Sequence, residues 1–109
     1  MQFETTNIEE ITEARRKAFR SSIRTINLEE LKALGERLFP TVDNAWRDLF
    51  FGFVTENAGA TFYHATARDG VEVVYCPAKG KGMWFKPGVG MGPMQPKGLG
   101  ILKQIVEGR

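Results

Sequence analysis

Hydrophobic positions change period once along this chain, and the change separates a helical first half from a strand-forming second half. Over residues 8 to 24, Ile8, Ile11, Ala18 and Phe19 fall near one side of a helix, and Ile23 and Ile26 continue that side if the helix runs on. The polar side opens on Glu9, Glu10 and Glu13 and closes on Arg16, Lys17, Arg20 and Arg24, an order that suits the helix dipole without any ligand. A second helix starts at Asn27, a good cap, with Glu30 three residues on to reach back and Ile26 and Leu31 placed as a hydrophobic staple. Leu28, Leu31, Leu34 and Leu38 follow, and Pro40 stops the helix at or before Phe39. Thr41 is expected to cap a third helix ending before Gly59. Its stripe, Val42, Trp46, Leu49, Phe50, Phe53 and Val54, makes it the expected centre of the core.

From Ala60 the period falls to two. Phe62–Thr66, Val71–Cys76 and Gly82–Lys86 read as strands joined by ARDG and AKGKG. Asp69-Gly70 is a favoured two-residue turn, and using it sets His64 opposite Tyr75, Tyr63 opposite Cys76 and Thr66 opposite Val73. In the second hairpin Tyr75 meets Trp84 or Lys86 according to the turn, and both choices leave the same side chains on the same face. One face then carries Tyr63, Ala65, Val74, Cys76, Met83 and Phe85 and is assigned to the helices. The other carries Phe62, His64, Thr66, Arg68, Val71, Val73, Tyr75, Trp84 and Lys86. PGVGMGPMQ reads as a loop, and Pro96 opens a last helix with Leu99, Leu102, Ile105 and Val106 on one side. The expected architecture is a single α+β domain over residues 1–109. Two or three N-terminal helices pack on one face of a three-stranded antiparallel meander, and a short helix closes the chain.

A chain of 109 residues can bury one core without a disulfide or a structural metal. Cys76 is the sole cysteine and His64 the sole histidine, so neither an internal disulfide nor a zinc site of those residue types is expected, and the compartment implied is the reducing cytoplasm. MQFETTNIEE lacks the basic-then-apolar order of a secretory leader, and the longest apolar run, Leu49 to Val54 with Gly52 inside it, is too short to span a bilayer. The net charge of +2 hides an asymmetry: from Cys76 onward six basic residues face Glu107 alone.

Between Lys79 and Lys103 the chain holds seven glycines, three prolines, five lysines and no acid. Met91 and Met94 lie in this stretch, beside an aromatic and basic face formed by His64, Arg68, Tyr75, Trp84 and Lys86. Tyr, Trp, Met and Arg are the residues enriched in interface cores. The expected function is therefore a small interaction module without chemistry of its own, self-associating or binding another protein through these residues. A nucleic-acid alternative stacks single-stranded bases on Tyr75 and Trp84, although no RNP-type motif accompanies them. A third reading places an anion on Lys86, Gly88, Gly90, Gly92 and Lys97, where a strand, a glycine-rich loop and a helix start follow one another. The glycines are spaced GxGxG, which is not the dinucleotide fingerprint. A ribonuclease-like site at His64 would use Tyr75 as neighbour, but a single His beside a Tyr is more often a structural pair, and Cys76 falls on the opposite face from His64. No catalytic residue, metal-ligand set or cofactor is expected.

Overall fold

The computed structural model describes residues 13–108. Helix α1 covers residues 13–22. It is followed by β1 (Arg24–Ile26), α2 (Leu28–Leu38), α3 (Ala45–Glu56), β2 (Phe62–Thr66), β3 (Glu72–Cys76), a 3-10 turn at Pro77–Lys79, β4 (Lys81–Lys86), β5 (Gly90–Pro93) and α4 (Pro96–Glu107). The strands form a five-stranded antiparallel sheet in chain order, so the class is α+β, with two more strands than the sequence suggested.

Local signals form the first elements. The α2 capping box is complete: the Glu30 N–H donates to Asn27 Oδ1 at 2.8 Å, and the Asn27 N–H donates to Glu30 Oε1 at 3.2 Å. Helix α3 is capped by Asn44 rather than Thr41; its Oδ1 accepts from the N–H groups of Trp46 and Arg47. The first helix was expected to reach residue 24, yet residues 24–26 pair with β2, matching Arg24 to His64 and Ile26 to Phe62. The part of that expected helix before residue 13 lies outside the described residues. Ser22 makes the join. Its hydroxyl donates to the Thr66 carbonyl at 3.1 Å and accepts from the Thr66 N–H at 2.8 Å, so a side chain extends the β1–β2 ladder to the end of α1.

The largest departure lies in the first hairpin. The Ala67 N–H donates to the Val71 carbonyl and the Gly70 N–H to the Ala67 carbonyl, which leaves a three-residue loop, Arg68-Asp69-Gly70, with Gly70 at φ +87°. The two-residue turn expected from Asp69-Gly70 is therefore not used. Tyr63 faces Tyr75, His64 faces Val74 and Thr66 faces Glu72. A change of one residue in the loop turns every β2 side chain over. In the second hairpin Cys76 pairs with Lys81 and Tyr75 with Gly82, a slip of two residues from the nearer expectation, which leaves the faces of β4 unchanged.

Helices cover both faces of the sheet. Phe62, Val74, Cys76 and Phe85 pack with Leu31 and Leu34 of α2 and Phe50 and Val54 of α3. Ala65, Val73 and Tyr75 pack with Phe19 of α1, Ile23 beyond it, and Leu102 and Ile105 of α4. The expectation of helices on one face only is thus corrected to three layers. The α2/α3 layer centres on aromatic rings, with Phe50 at 5.3 Å from Phe85 and 5.5 Å from Phe51 between centroids.

Gly35 lets the two helices of that layer approach. A Cβ added there would stand 2.5 Å from Phe51 Cζ and 2.9 Å from Phe50 Cε2. Alanine improves helix propensity by about 1 kcal/mol, but here it must displace two packed rings. We expect Gly35→Ala to lower unfolding stability by about 1–3 kcal/mol in urea titrations; a stability equal to or above the parent would show that the rings do not close on this position.

Candidate functional site

The residues expected to form one binding face are divided by the sheet. His64 lies on the α2/α3 side, and Met91 packs against that core. Tyr75 and Trp84 lie on the α1/α4 side, and Met94 packs there. Tyr75 is 3 % exposed, and burial, with Glu107 nearby, pushes its phenol pKa upward. Its ring is closed to a stacked base, and Trp84 is partly covered by the same layer. Arg68 stays exposed at the hairpin tip, and Lys86 is half-buried at the end of β4.

The glycine run is a hairpin. Val89 N–H donates to the Lys86 carbonyl at 2.9 Å with Gly88 at φ +77° after Pro87, the residue pattern of a type II turn. Gly90 and Gly92 sit in β5, paired with Lys86 and Trp84. Indole rings lie over them: a Cβ on Gly92 would be 3.0 Å from Trp84 Nε1 and one on Gly90 3.4 Å from Trp46. Two of these glycines are therefore accounted for by ring packing, while Lys97 lies one residue into α4, on a separate element.

His64 enters an arrangement that sequence reasoning missed. Glu72 Oε1 accepts from His64 Nε2 at 2.9 Å and from Arg37 Nη2 at 2.8 Å, and the Glu72 side chain is only 8 % exposed. The hydrogen bond to His64, opposed by burial and helped by Arg37, holds the Glu72 carboxyl down at a pKa of about 2. Beside this group Arg24 pairs with Glu30 at 3.0 Å, closing the β1 edge with alternating charge. The one signal in the sequence was the acid itself, set among apolar neighbours in VEVVYC, since a buried carboxylate requires partners. Glu72 joins β2, β3 and α2 by holding His64 and Arg37 together, and the cluster reads as a structural lock. Among the described residues no group of three or more His, Cys, Asp or Glu side chains forms a metal-ligand set, and no helix is long and apolar enough to cross a membrane.

A second feature faces water. On α3 the buried residues are Phe50 and Val54, whereas Leu49 is 62 % exposed, Trp46 42 % and the preceding Val42 77 %. The stripe taken as one core contact is thus split: Phe50 and Val54 turn inward, and Ala45, Leu49 and Gly52 run along the outward side with Trp46 and Phe53 at its margin. A Cβ on Gly52 would meet nothing within 4 Å. Beside it, Leu49, Phe53, Met83 and Met94 border a groove of about 540 Å³ between α3 and the β4–β5 end of the sheet. Comparison of the chain with protein-family models, curated proteins and solved structures finds no match, so function is argued from this geometry.

A carboxyl whose pKa is depressed in the fold stabilises it above the unfolded value, 4.5, and loses that contribution as pH falls through about 2. Arg37 is more than half exposed, so water screens its share. We expect Glu72→Gln to lower stability at pH 7 by on the order of 2 kcal/mol, with the deficit shrinking as pH falls from 5 toward 2. Denaturant titrations of both proteins across that range test it, and a deficit independent of pH would remove the charge from the explanation.

Proposed function

We propose that this chain is a non-enzymatic interaction module that associates with a second copy of itself through the outward face of α3. The reading rests on the pattern of large and small residues about Leu49. When two α3 helices cross antiparallel on a two-fold axis at Leu49, like margins of the contact meet: Trp46 faces Phe53 of the partner subunit, and Ala45 faces Gly52 of the partner subunit. Small residues meet on one margin, where they let the helices approach, and aromatic rings meet on the other, so the same surface serves both copies as a two-fold interface needs. Interior glycine costs a helix about 1 kcal/mol relative to alanine, and nothing within the chain's own packing requires it at position 52. Val89, 71 % exposed at the β4–β5 turn, borders the same pocket as Trp46 and adds apolar area there.

The nearby sheet edge supports side-chain contact rather than strand addition. β5 ends in Pro93, which has no N–H to offer another strand, and such residues protect open edges. This surface replaces the Tyr75 and Trp84 face as the contact region, because Tyr75 is buried and α1 and α4 partly cover Trp84. The buried, unpaired Cys76 suits a cytoplasmic setting.

Sedimentation or light scattering tests the reading. The parent chain should run at twice its monomer mass, and Leu49→Glu, which charges the centre of the contact, should run as a monomer. Position 52 separates the two roles of the helix. Gly52→Ala should raise monomer stability by about 1 kcal/mol, whereas Gly52→Leu should abolish the dimer while leaving the fold intact. A parent protein that remains monomeric at high concentration would refute self-association.

A further inference from the structure

We infer that the cleft between α1 and α4 is a binding site for an amphipathic carboxylate, with the apolar tail on the sheet and the carboxylate at a basic mouth. The cleft has a volume of about 470 Å³, within the range of small-ligand sites. Its floor is Val73 and Trp84, and its walls come from Phe19 of α1 and Ile101 and Leu102 of α4. These side chains offer a tail dispersion and burial and, apart from the indole N–H, no hydrogen bond. Chemistry therefore favours an occupant whose body is hydrocarbon or aromatic.

The mouth sets the sign of the head group. Arg15, Arg16 and Lys86 border it. Arg15 is held by Asp69 through contacts of 2.6 and 3.0 Å, and Arg16 makes a longer 3.5 Å contact to the exposed Glu13. The Lys86 ammonium has no hydrogen bond or ion pair among the described residues and acts on Asp69 only through space. Among the described residues at the mouth, the three cations and the two acids leave one positive charge uncompensated, and Lys86 is the side chain that carries it. A monoanionic head is the complement, and a cationic or neutral head leaves Lys86 unpaired. Three residues that sequence analysis placed in a contact surface, Trp84, Lys86 and Met94, line this cleft together. The site lies on the opposite side of the sheet from the α2/α3 layer and does not depend on self-association.

The two tryptophans make the test direct, because Trp84 lines the cleft and Trp46 does not. With ¹⁵N-labelled full-length chain, the two indole N–H signals are followed while decanoate, decanol or decyltrimethylammonium is added. Decanoate should move the Trp84 signal saturably and leave the Trp46 signal in place, with decanol bound about tenfold more weakly. Lys86→Met should erase that preference and retain the binding of decanol. Ile101→Trp, which fills the cleft from a partly exposed wall, should weaken both ligands at least about tenfold; should that variant not fold, the ligand series and Lys86→Met decide alone. The assignment is overturned by a Trp84 signal that does not saturate, by equal affinity for decanoate and decyltrimethylammonium, or by a carboxylate preference that survives Lys86→Met.

Discussion

Side chains alternate along a strand, so the number of residues in a hairpin loop decides which of them share a face. In this chain the loop Arg68-Asp69-Gly70 holds three residues, and Gly70 supplies the left-handed backbone that closes it. That odd number brings His64 of β2 to the same side as Glu72 of β3 and sends Tyr63 to the side of Tyr75. With an even loop the carboxylate of Glu72 and the imidazole of His64 would lie on opposite faces. Glu72 would then be a buried acid without its nearest partner.

Once the parity is set, the rest of the packing follows. The α2/α3 face receives Phe62, Val74, Cys76 and Phe85 as a floor for the phenylalanine cluster, with the His64–Glu72–Arg37 lock at its β1 end. The opposite face receives Ala65, Val73, Tyr75 and Trp84, an apolar floor that α1 and α4 cover unevenly, leaving the cleft beside Trp84. Arg15 of α1 grips Asp69 in the same loop, so the loop that fixes the register also anchors a helix of the second layer. The two layers differ in kind. One is closed by rings and a charge cluster, and the other retains space.

What the sequence disclosed was local. The α2 cap, the stop before Pro40, the start of α4 at Pro96 and the three central strands all depend on neighbours a few residues apart, and each was legible. The parity was not, because Asp69-Gly70 serves equally as a two-residue turn and as the end of a longer loop. β5 was read as loop because glycine and proline disfavour strands; its backbone is accommodated by Trp84 and Trp46, which lie over Gly92 and Gly90 from elsewhere in the chain. β1 escapes a local reading because Arg24 closes the first helical pattern and Ile26 fits the same side if that helix runs on. The partner of Glu72 on α2, 35 residues distant, leaves no local trace. On α3 the apolar residues extend around the helix, so periodicity located the helix without separating its buried side from its exposed one.

The face assignment stands beneath both the self-contact of α3 and the carboxylate cleft, since each begins where the packed faces end. Cross-strand nuclear Overhauser effects between backbone protons of β2 and β3 measure it directly in solution. Contacts that join Tyr63 to Tyr75 and Ala65 to Val73 are expected. Contacts joining His64 to Tyr75 and Thr66 to Val73 would restore the two-residue turn and contradict the arrangement of both faces.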